Sequence, residues 1–244
     1  MMGAGIALVS AQAGVDVILI DRDVESATKG KAYSETVLGK QITRGTMTQD
    51  KADAIVARIK PTDNFALLEG CDLIIEAVFE DIDIKAETTR KAEAIIPSTT
   101  VYASNTSTLP ISTLAEASAR PDQFIGLHFF SPVDRMGLVE IIKGAKTSPA
   151  TLAVALDFVA KLRKTPIVVN DSRGFYTSRV FQTLIHEGGA MLGEGVPPAV
   201  IENAAKAVGM PVGPLALLDE LTFDLPLKIV EQAIEQEGSK YIVP

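Results

Sequence analysis

At 244 residues, with 47% apolar and 22% charged side chains, the chain is long and apolar enough to bury a sizeable core, which argues against intrinsic disorder. A net charge of −8 argues against nucleic acid or an anionic membrane as the main partner, although a locally basic pocket could still take an anionic ligand. One cysteine, Cys71, excludes an internal disulfide and suits a reducing, cytoplasmic setting.

The start, Met1-Met2-Gly3-Ala4-Gly5, carries no basic region or cleavage pattern and does not read as a signal peptide. No apolar run is long enough to span a bilayer, so no membrane insertion is expected. Residues 1–14 predict a helix rich in small residues and stopped by Gly14, and residues 15–20 a buried strand ending at Asp21. That order matches the second half of a dinucleotide-binding βαβ unit. A complete fingerprint would place a strand and two glycines before Met1, with Gly3 as the third glycine.

Residues 24–44 predict a long exposed helix, and Thr48 an N-cap for a second one with the stripe Ala52, Ile55, Val56 and Ile59. The two read as a hairpin projecting from the sheet and ended by Pro61. Strands follow at residues 73–78, 101–104, 124–129, 138–142 and 166–170. Helices are expected at residues 84–96, 110–119 and 148–163, the last with Ser148 at its N-cap and Pro149 at N1. Cys71 reads as a packing residue entering the first of these strands.

Strands alternating with helices predict a Rossmann-type, doubly wound, mostly parallel α/β sheet covered on both faces. After Asn170 the pattern changes to helices at residues 174–194, 197–208 and 214–237, with a break expected at Pro226. The expected organisation is a nucleotide-binding domain at residues 1–171 and an all-helical domain at residues 172–244.

In an open parallel sheet, ligands lie beyond the carboxyl ends of the strands. Asp21, Glu80, residues 104–107 and His128 all end or follow strands and should line one rim. Asp21 could accept from ribose hydroxyls and repel a 2′-phosphate, favouring NAD over NADP, with Arg22 weakening that preference; the alternative is an Asp that caps the next helix. His128, between Leu127 and Phe129, is either an acid/base catalyst or a core histidine with one satisfied hydrogen bond. Glu140, between Val139 and Ile141, would be costly to bury unpaired, and His128 is its nearest candidate partner in sequence. Ser107 is a candidate substrate or cofactor contact. Glu76 carries no assigned role, His186 reads as structural or surface, and no metal site is read.

Several segments resemble the L-3-hydroxyacyl-CoA dehydrogenase family, especially the dehydrogenase part of multifunctional fatty-acid oxidation proteins of the alpha-subunit type. They are Met2-Gly3-Ala4-Gly5-Ile6-Ala7, Glu76-Ala77-Val78-Phe79-Glu80, Ser104-Asn105-Thr106-Ser107, Gly126-Leu127-His128-Phe129-Phe130-Ser131-Pro132, Leu138-Val139-Glu140-Ile141, Asn170-Asp171-Ser172-Arg173-Gly174-Phe175 and Val212-Gly213-Pro214. The resemblance implies that His128 takes the proton of a 3-hydroxyl while C3 gives its hydride to NAD, with Glu140 paired to His128 and Ser107 touching substrate and cofactor.

It also implies NAD contacts at Met2, Gly3, Asp21, Val78, Phe79, Glu80, Lys85, Ser107 and Ser131, and an acyl-CoA substrate held by Ser107 and Ser178. Ser131 and Ser178 stand where many members carry asparagine, so the shorter Ser178 would reach substrate through a water. The helical pair at residues 24–59 resembles the family's acyl-CoA-binding hairpin.

The resemblance further implies a homo-oligomer or a β-oxidation complex with a thiolase, and a hydratase domain upstream in some members. It places a first strand, before Met1, between the strands ending at Asp21 and Val78. Without the phosphate-cradling turn, residues 1–244 alone are expected to bind NAD weakly. Two other readings stand beside this one: the same fold acting on a different 3-hydroxy acid, and an inactive, scaffold-like piece.

Overall fold

A computed structural model gives the fold and describes residues 2–220. It divides into two compact units, at residues 1–176 and 177–244.

The first unit opens with α1 (Met2–Gln12), in which every residue from Ala4 to Ala11 is buried. A helix with no polar face must be covered on all sides, and this one packs on α2 (Val24–Thr43) and on the first strand, β1 (Val17–Ile20). Gly14 follows in the left-handed region (φ +82°) and turns the chain into β1. Asp23, not Asp21, caps α2, its carboxylate accepting from the Ser26 amide at 2.7 Å.

Thr48 caps α3 (Gln49–Ala57) as expected. The pair α2–α3 does not project. Leu38, Ala52 and Ile55 pack with Leu8, Ala11 and Ile59 in one buried cluster, so the hairpin lies on α1 and on β1 with its polar side outward. Pro61 does not end it either. It sits inside β2 (Ile59–Thr62), which pairs in parallel with β1 in a two-stranded sheet. An edge position tolerates the missing N–H.

The larger sheet runs β3 (Leu73–Glu76), β4 (Val101–Ser104), β5 (Phe124–Phe129), β6 (Leu138–Lys143) and β7 (Thr165–Asn170), in that order. All neighbours are parallel except β5 and β6. The helices α4 (Ile82–Glu93), α5 (Ile111–Leu114) and α6 (Pro149–Lys161) connect them, α4 capped by Asp81 and α6 by Ser148. This is the Rossmann-like, mostly parallel architecture that the alternation predicts, with the described strands divided two and five between two sheets.

Side chains in a strand alternate between faces. One face holds Val101, Ala103, Ile125, Leu127, Phe129, Val139 and Ile141 against Ile6 and Val9 of α1 and Ala155 and Val159 of α6. The other holds Tyr102, Phe124 and Ile142 with Ile111, Leu114 and Ala92. Ser104, Gly126, His128 and Glu140 share the parity of this second face. Its polar members therefore cluster toward the ends of β4 and β5 while the hydrophobic ones fill the floor.

Gly126 marks how tightly that floor is packed. A Cβ there would lie 2.8 Å from Ile111 Cδ1 and 2.9 Å from Ile142 Cβ, which is too stiff to move away. We expect Gly126→Ala to lower stability by about 1–3 kcal/mol through overpacking, read from chemical denaturation midpoints. An unchanged midpoint would show that the floor relaxes.

The second unit contains α7 (Thr177–Gly193), α8 (Pro198–Ala207) and α9 (Pro214–Glu220). Among its described residues the regular elements are all helices, as expected. Glu202 of α8 accepts from the amides of Leu215 and Ala216, satisfying the exposed donors at the start of α9. Pro226 and the rest of the third expected helix lie outside the described residues. Among the described residues, no helix is long and apolar enough to cross a membrane.

Candidate active site

The antiparallel pairing of β5 with β6 sets His128 directly opposite Glu140. Residues facing each other across such a pair point to the same side of the sheet. Nδ1 of His128 lies 2.7 Å from Oε2 of Glu140, with the carboxylate fully buried and the histidine side chain 8% exposed. Oε1 of Glu140 accepts from the backbone amide of Tyr176 at 3.2 Å.

Phe130 and Phe175 flank the imidazole, their ring centroids 4.4 and 6.0 Å from it. Apolar walls strengthen the His128–Glu140 hydrogen bond by lowering the local dielectric. A carboxylate at Nδ1 favours the tautomer with the proton there, leaving the lone pair on Nε2.

The end of β5 is held by Asn105, whose side-chain oxygen accepts from the Phe129 amide at 2.9 Å. The following loop carries Ser131 and is fixed at three points. Gly5 of α1 comes so close to Val133 that a Cβ would lie 2.9 Å from it. Lys164 donates at 2.6 Å to the carbonyls of both Val133 and Met136, and burial lowers its pKa. The Tyr33 hydroxyl of α2 reaches Asp134 at 3.0 Å.

Ser107 lies in the turn after β4. Its amide and hydroxyl donate to Oε1 of Glu80 at 2.9 and 3.2 Å. Burial alone would raise the pKa of Glu80. The Thr106 hydroxyl, the Lys85 ammonium and the amides of Ser107 and Thr108 together outweigh it and hold the carboxyl below its ordinary value. Lys85 is buried beside it and joined to Glu76.

The remaining expected contacts fall on several separate elements. Met2 and Gly3 form the first turn of α1, with Gly3 close against Ala77 after β3. Asp21 follows β1 in an exposed position. Val78 and Phe79 are exposed between β3 and α4, Phe79 by 80%. Ser178 lies in α7, in the second unit. Cys71 is half-buried at the entrance to β3, and burial with the neighbouring Asp72 pushes its thiol up.

The sequence reading placed residues 104–107 on the rim but did not read the bonds that Ser104, Asn105 and Thr106 make there, and it gave Glu76 no role. Glu76 carried the same signal as Glu140, a carboxylate inside an apolar strand. Its partner lies nine residues away across a loop and a helix start, and no strand or helix period encodes that pairing.

A mostly parallel α/β unit with a buried histidine–carboxylate pair on one face of its sheet places the chain among Rossmann-like proteins. The chain belongs to the 3-hydroxyacyl-CoA dehydrogenase family: the model of that family's NAD binding domain matches residues 1–172 and that of its C-terminal domain matches residues 174–243.

The fatty acid oxidation complex subunit alpha of Shewanella sp. (strain W3-18-1) is 39% identical over the whole chain. The chain spans about a third (35%) of that relative's length. Among solved structures, (S)-3-hydroxybutyryl-CoA dehydrogenase from Ralstonia eutropha matches 97% of the chain and 84% of its own length, at 35% identity and a TM-score of 0.92. The 3-hydroxybutyryl-CoA dehydrogenase from Escherichia coli K12 matches 96% of the chain and 50% of its own length, at 30% identity and a TM-score of 0.91.

Proposed function

We propose that the chain is the dehydrogenase part of a protein that oxidises L-3-hydroxyacyl-CoA to 3-ketoacyl-CoA with NAD in fatty-acid oxidation. Residues 1–171 would serve as the NAD domain and residues 172–244 as the helical domain. The observation carrying this reading is the 2.7 Å contact between His128 Nδ1 and the buried Glu140 carboxylate.

In the proposed reaction, Nε2 of His128 takes the proton of the 3-hydroxyl as the C3–H bond breaks and the C–O bond becomes a carbonyl. Glu140 holds the ring in the tautomer that leaves Nε2 basic, and its charge stabilises the imidazolium that forms. Ser107 orients the hydroxyl-bearing carbon, and its hydroxyl rotates to donate or accept. Bound NAD supplies the hydride acceptor.

The donor set suits NAD. Asp21, exposed beyond β1, presents a carboxylate to ribose hydroxyls and opposes a 2′-phosphate, while the adjacent Arg22 is drawn to Asp23 at 3.2 Å. Met2, Gly3, Val78, Phe79, Glu80, Lys85, Ser107 and Ser131 would form the rest of the cofactor surface, and Ser178 would add a substrate contact. The acyl-CoA substrate and the match to a fatty-acid oxidation subunit support a cytoplasmic complex with a thiolase, or a homo-oligomer.

The test is an NADH-forming assay of the full-length gene product with short, medium and long L-3-hydroxyacyl-CoA esters. NADH formation with NAD, and markedly less reduction with NADP, is the expected result. Turnover confined to a 3-hydroxy acid lacking CoA would move the protein to another substrate class, and no turnover with any of them would defeat the proposal.

A further inference from the structure

The proton-transfer pair leaves a second buried charge cluster unused. Glu76 ends β3 and Lys85 lies in the first turns of α4, and they are 5% and 2% exposed. An ammonium has three donors. Those of Lys85 face Oε1 and Oε2 of Glu76, both at 3.1 Å, and Oε2 of Glu80 at 3.5 Å. Glu76 also accepts from the Ser104 hydroxyl, its neighbour across β4, and from the Val78 amide at 3.2 Å.

Stability alone does not account for such a pair. Two apolar side chains of similar volume usually serve a core as well or better, because burying charges carries a desolvation cost. What the pair adds is a fixed cation beside Glu80. With Lys85 aligned on one oxygen of Glu80, the other oxygen is turned to the loop after β4. There it collects the Thr106 hydroxyl at 2.6 Å, the Ser107 amide and hydroxyl at 2.9 and 3.2 Å, and the Thr108 amide and hydroxyl at 3.1 and 3.3 Å.

We propose that Glu76 and Lys85 are positioning residues that aim Glu80 into the 106–108 loop and thereby set the Ser107 hydroxyl. The resemblance implies an NAD contact for Lys85; the positioning role is carried by its ammonium facing Glu76 and Glu80. Glu76 clamps the ammonium from both oxygens. Without that clamp, Lys85 is drawn onto Glu80 and pulls its carboxylate off the loop. The consequence for catalysis rests on the dehydrogenase function proposed for the chain; the ordering of the loop does not.

The test is hydrogen–deuterium exchange of the full-length gene product without cofactor, comparing wild type with Glu76→Gln and with the double variant E76Q/K85M. The double variant removes both buried charges together, so a merely structural pair would be replaced with its loop intact. Positioning predicts that the Ser107 and Thr108 amides exchange about tenfold faster or more, as expected when bonds to a charged acceptor are lost, while strand amides of β3 and β4 keep their protection. If the double variant does not fold, E76Q, which keeps the shape and an acceptor for Ser104, is read by the same criterion.

Wild-type exchange in the loop overturns the proposal. So does loss of the fold in both variants, since the pair would then be holding the core. NAD titration of the wild type separates the two claims. A wild type that takes up no NAD defeats the dehydrogenase reading and leaves the exchange result standing. A wild type that binds NAD, with variants whose loop exchange is unchanged, defeats only the positioning role.

Discussion

Replacing His128 by Gln should reduce kcat by about 10²–10⁴ while leaving NAD affinity close to wild type, the range ordinarily lost with a general base. Glutamine is the informative choice because of what surrounds the ring. Its amide can still donate to Glu140, so the buried carboxylate keeps a partner and the sheet has no reason to open. It cannot accept a proton, so the 3-hydroxyl has no base beside it. His128→Ala would also remove the side chain between Phe130 and Phe175, mixing a packing defect with the chemical one. Turnover of His128→Gln within a few-fold of wild type, by NADH formation on a 3-hydroxyacyl-CoA, would remove the imidazole from the reaction.

Much of this site could be read before the fold, and for a physical reason. In β5 and β6 the apolar residues alternate with Gly126, His128 and Glu140, and period-two alternation says which side chains share a face. The buried carboxylate of Glu140 demanded a partner, and the demand is met by His128 directly opposite. The register depends on an antiparallel turn among parallel strands, which neither the pattern nor the resemblance gave; the resemblance implied only the pairing of Glu140 with His128.

Other features depend on contacts between distant parts of the chain, which no local period records. Glu76 and Lys85 find each other across a loop; the strand around Glu76 signals a need for a partner but not which one, and Lys85 alone resembles an ordinary helix residue. Pro61 looks like a stop signal, yet an edge strand accepts it because the N–H it lacks has nowhere to bond. The helical pair α2–α3 looked exposed from its polar composition, while Leu38, Ala52 and Ile55 were enough to fasten it to α1. Asp21 and Asp23 were equivalent as caps by residue type. Only the backbone geometry selects Asp23, leaving Asp21 exposed beyond β1.

Glu140→Gln should be nearly as damaging to turnover as the loss of the histidine, on the order of 10³–10⁴, although no atom of Glu140 is expected to touch substrate. The argument concerns one proton. The carboxylate can only accept, so it holds the hydrogen on Nδ1 and the lone pair on Nε2. A glutamine amide can donate to Nδ1 instead, which moves the ring hydrogen to Nε2 and abolishes the base without displacing it. The fold should survive, since the amide oxygen can still accept from the Tyr176 amide.

Glu140→Ala separates the two effects. It leaves a buried imidazole N–H and the Tyr176 amide without an acceptor, at about 1–3 kcal/mol each, so stability should fall along with activity. Because His128 and Glu140 act as one unit, the double variant H128Q/E140Q should be scarcely slower than either single one. Rate losses that multiply in the double variant would mean that the carboxylate works independently of the ring, and the tautomer argument would fail.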